Sequence, residues 1–294
     1  MQRLIKILSF LFISLFAFQS WSEDFDKGRE AYLTGDFEAA LQELRPLADW
    51  GDAKAQFILG VMYSAGEGVE QDDAQAARWY QLAAEQGDPS AQLSLGWMYD
   101  NGIGVEQDYT RAAKWFTLAA GQGNADAQFN IAQMYHDGQG VEQDNEQAVK
   151  WYRLAAEQDD AEAQLSLGWM YANGEGVAQD YEQAARWYRK AAEQGDAVAQ
   201  RNLGWMYDNG EGMAKDHRKA VACYQLSAEQ GYPYAQNNLA QKYANGEGVT
   251  QNYEQAVKWY ELAAEQGITE AQNNLAQIYR NGEGVVQDYA RAIK

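Results

Sequence analysis

The sequence predicts an all-α chain, a right-handed α-α superhelical solenoid of stacked helix-turn-helix repeats 36 residues long. Three observations lead there. First, the pattern G-x-A-x-A-Q-x-x-L-G-x-x-Y-x-x-G-x-G-V-x-x-D recurs at that fixed interval: Gly51, Gly87, Gly123, Gly195, Gly231 and Gly267 each open a unit, and Asp159 takes the same place in the fourth. Second, the apolar and small residues of each unit fall into two stretches of helical spacing divided by a pair of glycines. Third, stop and start signals flank each stretch. Such a period marks units that cannot bury an apolar face alone and stack to do so.

The elements follow in order. Residues 1–22 carry Arg3 and Lys6, an apolar run from Ile7 to Phe18 and small residues at Ser20 and Ser22, the pattern of a secretory signal peptide. The run is well short of the roughly 20 residues a membrane span needs. Residues 23–50 read as a shorter capping hairpin. Seven units then run 51–86, 87–122, 123–158, 159–194, 195–230, 231–266 and 267–294, the last truncated before its tryptophan. An end of this kind is expected to expose apolar surface.

Within the first unit, Ala53 to Ser64 predicts one helix and Asp72 to Gln86 a second. Ala55, Leu59 and Tyr63 share a face at i, i+4 and i+8. Gly60, Gly96, Gly168 and Gly204, with Ala132, Ala240 and Ala276, leave room there for close approach of the partner helix. In the break Gly66-Glu67-Gly68-Val69, the first glycine suits a left-handed C-cap, the second a tight bend, and the valine an apolar plug. Asp72, Asp108, Asp144, Asp180, Asp216, Asn252 and Asp288 stand as N-caps. Gln75, Gln147, Gln183 and Gln255 follow at the capping-box position. Ala76, Trp79, Tyr80 and Ala83 form the buried side of the second helix.

These features resemble the Sel-one-like repeat (SLR), a longer cousin of the tetratricopeptide repeat, over Gly51 to Lys294. Ala31, Tyr32, Gly35, Ala39, Ala40 and Leu44 resemble a tetratricopeptide-type hairpin in front of it. The resemblance implies a non-enzymatic adaptor that binds a protein or peptide along the concave face lined by the first helices. Some cysteine-rich relatives carry penicillin-binding or β-lactamase assignments. This chain lacks S-x-x-K, S-D-N and K-T-G, and has a single cysteine.

Composition narrows the classes further. The net charge is −20, and removal of Arg3 and Lys6 with the leader takes it to −22, which disfavours nucleic acid as a partner. It favours a protein or peptide with a basic or mixed-charge face. No disulfide can form within the chain, because Cys223 is alone; it replaces the tryptophan found at 79, 115, 151, 187 and 259 and reads as a buried small hydrophobe. The fifth unit should therefore pack least well. His136 and His217 fall in different units as solvated or helix-start residues, and neither has a second histidine at i+4 for metal. The glycine loop follows a helix and recurs seven times, as a structural turn does and a phosphate cradle does not. Asp100, Asn101 and Asp108 lack the alternating oxygen pattern of a calcium loop. No catalytic, cofactor or metal residue is assigned.

What remains is a surface. The residues beside the packing stripe of the first helices vary from unit to unit, and the candidate partner-binding set is Trp97, Asn130, Gln133, Trp169, Asn202, Trp205, Asn238, Gln241 and Asn274. Asn and Gln amides could clamp an extended peptide backbone, and the tryptophans either offer flat faces to a ligand or bury between adjacent units. The expected location is a Gram-negative periplasm, with secretion next. Cell-wall glycan binding is the alternative function, and an enzyme acting on glycan or β-lactam the remaining one.

Overall fold

Each repeat is punctuated by local chemistry before any packing is considered. In the first full repeat, α3 (Ala53–Ala65) starts at Asp52, whose carboxylate accepts from the Ala55 amide, and stops at Gly66 with φ +73°. The next helix, α4 (Asp73–Glu85), starts at Asp72, which accepts from the Gln75 amide. The predicted capping box is not closed: the amide of Asp72 donates to the Tyr63 carbonyl at 2.9 Å, and those of Asp180 and Asn252 to Tyr171 and Tyr243. That donation ties the loop to the preceding helix instead.

The computed structural model describes residues 23–293; the predicted leader lies outside them. The chain forms two compact units, Met1–Asp144 and Asn145–Lys294. The first holds α1 (residues 23–34), α2 (Phe37–Asp49), α3, α4, α5 (Pro89–Asn101), α6 (Tyr109–Gly121) and α7 (Ala125–Asp137). The second holds α8 (Asn145–Glu157), α9 (Ala161–Asn173), α10 (Tyr181–Glu193), α11 (Ala197–Asn209), α12 (His217–Glu229), α13 (Pro233–Asn245), α14 (Tyr253–Glu265), α15 (Thr269–Asn281) and a 3₁₀ turn, Arg291–Ile293. Within each unit, from α2 on, every helix packs on the next. No strand occurs among the described residues.

Two glycine positions set the spacing. A Cβ on Gly60 would come within 2.5 Å of the Tyr80 ring, and one on Gly96 within 2.7 Å of Phe116, so these residues bring first and second helices of a repeat together. The second loop glycine works between repeats: at Gly104, φ +67°, a Cβ would overlap the carbonyl oxygen of Asp73 at the start of α4. Val69 fills the cluster built on Leu44, Leu47, Leu59 and Met62, as predicted for an apolar plug.

A polar ladder runs through these cores. Gln56, Gln92, Gln128, Gln164, Gln200 and Gln236 are all at least nineteen-twentieths buried. Each donates to a carbonyl near the end of the preceding second helix, as Gln164 does to Ala156 at 3.1 Å. At Gln56, Gln92, Gln164, Gln200 and Gln236 its oxygen accepts from the glutamine that ends its own repeat, as Gln164 does from Gln194 at 2.9 Å. The glutamine thus adds a second hydrogen bond to a helix-end carbonyl that already accepts from the amide three residues on, as Ala156 does from Asp159 at 3.2 Å. The last of the series, Gln272, donates to Ala264 but is exposed.

Candidate functional site

One position on each first helix varies along the chain, as Val61, Trp97, Gln133, Trp169, Trp205, Gln241 and Gln277, and there the indoles emerge. Trp97 on α5 is 50 % exposed, Trp169 on α9 40 % and Trp205 on α11 38 %. By contrast Trp79 and Trp115 on the second helices are buried. Isolated apolar side chains on a surface are ordinary; here the same large aromatic recurs exposed at one register position.

In the first unit Trp97 borders a cavity of about 320 Å³, lined also by Ser64 of α3, Tyr80 of α4, Leu93, Ser94 and Met98 of α5, and Asp126 and Asn130 of α7. Leu93, Met98 and the Tyr80 ring supply apolar surface; the two serines, Asp126 and Asn130 supply polar groups. Burial pushes the Tyr80 phenol up to about 12, against a hydrogen bond from Ser94, so it stays neutral. The lining suits binding of an apolar side chain flanked by main-chain polar groups.

The predicted amides divide. Asn202, Asn238 and Asn274 bond the hydroxyls of Tyr188, Tyr224 and Tyr260, each 14 residues earlier, and so face their own repeat interface. Gln241 donates to Glu270 at 2.8 Å. Asn130 differs because its partner position is Phe116, which has no hydroxyl; its amide stays available to the Trp97 cavity. Gln133 is exposed on the same helix. A cation also enters the second unit's face: Arg201, half-buried, donates to Asn202 at 3.2 Å, and its Nε has no partner.

One cluster escaped sequence reasoning. His217, expected to be solvated or merely to start a helix, starts α12 half-buried and bonds Asp208 at 2.5 Å. Lys242, where the other repeats carry methionine or isoleucine, is buried and pairs with Asp208 at 2.5 Å and Glu247 at 2.7 Å. Asp208, His217 and Glu247 could by spacing hold a metal ion, but the Lys242 ammonium already supplies the positive charge between the two carboxylates. The hydrogen bond from Lys242 holds Glu247 below its usual range. The signal in the sequence was a lysine on an apolar stripe. His136, in the first unit, bonds its neighbour Asp137 at 2.8 Å.

Residues 53–88, 89–124, 125–160, 161–196, 197–232, 233–268 and 269–294 each match the Sel1 repeat. The chain belongs to the Sel1 repeat family. Its fold is similar to that of a protective antigen of uropathogenic Escherichia coli displaying an SLR fold, with 38 % identity and a TM-score of 0.87 over 93 % of this chain and 60 % of the other. The chain therefore spans less than two thirds of that antigen's length. A Sel1 repeat protein from Oxalobacter formigenes is 36 % identical, with a TM-score of 0.70 over 81 % of this chain and 94 % of the other. No curated protein matches the chain. Sel1 repeat proteins are generally protein-interaction scaffolds, and their solenoids are typically non-enzymatic. No helix among the described residues is long and apolar enough to cross a membrane.

Proposed function

We propose that this protein is a non-enzymatic, exported scaffold that binds an extended segment of another protein on the first-helix faces of its two units. The observation that carries the reading is the exposure of Trp97, Trp169 and Trp205 at one repeat position, against the burial of Trp79 and Trp115 and the partial burial of Trp151, Trp187 and Trp259 on the second helices. Rigid indoles give large contact area at little entropic cost, and such residues dominate interface energetics. The Trp97 cavity takes an apolar side chain of the segment, with Asn130 against its main chain. The amides on Tyr188, Tyr224 and Tyr260 act in packing rather than recognition.

The −20 net charge favours a partner with basic or mixed-charge surface, and works mainly on the rate of encounter. Arg3, Lys6 and the apolar run to Phe18 support export, with a Gram-negative periplasm as the compartment. The test is capture from the native envelope fraction by wild type and by Trp97→Ala, Trp169→Ala and Trp205→Ala. Loss of the same captured protein in the variants is expected; identical capture by all four would overturn the assignment. Indoles also stack on sugar rings, so saturable quenching of tryptophan fluorescence by muropeptides, without captured protein, would favour the glycan reading instead.

A further inference from the structure

We propose that the second unit carries a separate site: a pocket beside Cys223 that receives the indole ring of a tryptophan presented by a partner protein. The repeats themselves provide the template. In the first repeat Trp79 is buried, and the Arg45 guanidinium lies over its ring at 5.5 Å from the centroid. Four repeats on, the position of Trp79 is held by Cys223 and that of Arg45 by Arg189. The cation that covers an indole is kept while the indole is not.

Where the ring would sit there is a cavity of about 560 Å³, lined by Arg189, Leu203, Tyr207, Lys219, Cys223 and Leu226 among others. That volume lies in the range, roughly 300–1,000 Å³, of sites that enclose small ligands, and it leaves room for main chain beside the ring. This is why the occupant is a residue of a partner chain rather than free indole. The Lys219 ammonium stands 5.3 Å from the Tyr207 ring, so its charge is already engaged with one aromatic face. Leu226, 54 % exposed, offers an apolar rim. Burial pushes the Cys223 thiol up to about 11 despite Arg189 nearby, so at neutral pH the sulfur is an uncharged wall that alkylates slowly through its small thiolate fraction. The pocket belongs to α10, α11 and α12 and does not depend on Trp97, Trp169 or Trp205.

The test uses the full chain, with N-acetyl-L-tryptophanamide, free indole and a tryptophan-containing peptide as probes and N-acetyl-L-leucinamide as control. Cys223 is the only thiol, so its alkylation rate reports the pocket directly. The tryptophan amide and peptide are expected to slow labelling saturably, the leucine amide to leave it unchanged. Arg189→Ala should weaken the protection about fivefold, the scale of one cation–π contact. Cys223→Trp restores the repeat's own ring; it should raise the melting temperature and abolish the chemical-shift changes that the tryptophan amide causes in nearby amides. No protection up to the solubility limit of the tryptophan probes, unweakened protection in Arg189→Ala, or equal shifts in Cys223→Trp overturns the proposal. Free indole binding as tightly as the peptide overturns the assignment to a partner chain.

Discussion

Replacing Gln164 by alanine isolates what the buried glutamine ladder contributes. The side chain has no exposed surface. It donates to the carbonyl of Ala156 at 3.1 Å and accepts from Gln194 at 2.9 Å. Alanine removes one of two hydrogen bonds to the buried Ala156 carbonyl, which keeps the 3.2 Å bond from the Asp159 amide, and the lost bond costs about 0.5–1.5 kcal/mol. The space left by the side chain adds on the order of 1 kcal/mol if neighbours relax only in part. The expected loss is therefore about 1.5–2.5 kcal/mol. Gln272→Ala is the internal control: that glutamine makes the same 3.1 Å bond to Ala264 but is exposed, so water replaces it and the loss should be about 0.5–1 kcal/mol. Repeat arrays need not unfold in one step. Urea unfolding followed by circular dichroism should therefore be paired with hydrogen exchange of the α8–α10 amides, which locates the loss. If the two variants lose stability equally, burial of the ladder is not what gives it weight, and the reasoning fails.

Other expectations follow from single positions. Asp159 has φ +65° where the other repeats have glycine; relief of its left-handed strain, about 1–2 kcal/mol, less the glycine's extra chain entropy, about 0.5–1 kcal/mol, should make Asp159→Gly more stable by about 0.5 kcal/mol in urea. Gly104→Ala should cost more than about 3 kcal/mol, since its Cβ meets the Asp73 main chain, whereas Gly87→Ala meets nothing within 4 Å and should cost only about 1–2 kcal/mol of backbone strain. Glu247 is held below its ordinary 4.5 by Lys242, so its stabilising share is complete above that value and is lost as the pH falls through the depressed one. The gap in urea midpoint between wild type and Glu247→Gln should accordingly be constant from pH 5 to 7 and close on further acidification; a gap that widens in acid would reverse the assignment.

Most of the fold was legible because a repeat states its local rules several times. Asp72 and its equivalents, Gly66 with its left-handed cap, and Gly60 against Tyr80 all follow from residues within one unit. The first-helix caps at Asp52, Asp88, Asn124, Asp160 and Asp196 were equally readable, each a cap residue one place before the helix. So was the ladder, since a glutamine held at the same place in every repeat, on an apolar stripe, calls for a buried partner. The site was legible only in part. Register put Trp97, Trp169 and Trp205 on one face but could not tell solvent from a neighbouring helix; coordinates were needed for their exposure. The tyrosine partners of Asn202, Asn238 and Asn274 were not legible because they sit 14 residues away on another helix. The Asp208, His217, Lys242 and Glu247 cluster draws on two repeats and has no counterpart in the others.

Those last cases share a physical logic. In a stack of near-identical hairpins, what recurs is accounted for by packing within and between repeats: a tyrosine under an asparagine, an indole beside a cation, a methionine on the inner stripe. A break in the pattern removes one partner and leaves the other with its chemistry available. Phe116 for tyrosine releases Asn130 into the Trp97 cavity. Cys223 for tryptophan leaves Arg189 over a pocket. Lys242 for methionine is the opposite outcome, because Asp208 and Glu247 close around the new charge and return the group to structure. What distinguishes this chain from any other array of the same repeat therefore lies where an exception is left uncompensated, and the two that qualify are the two that open cavities.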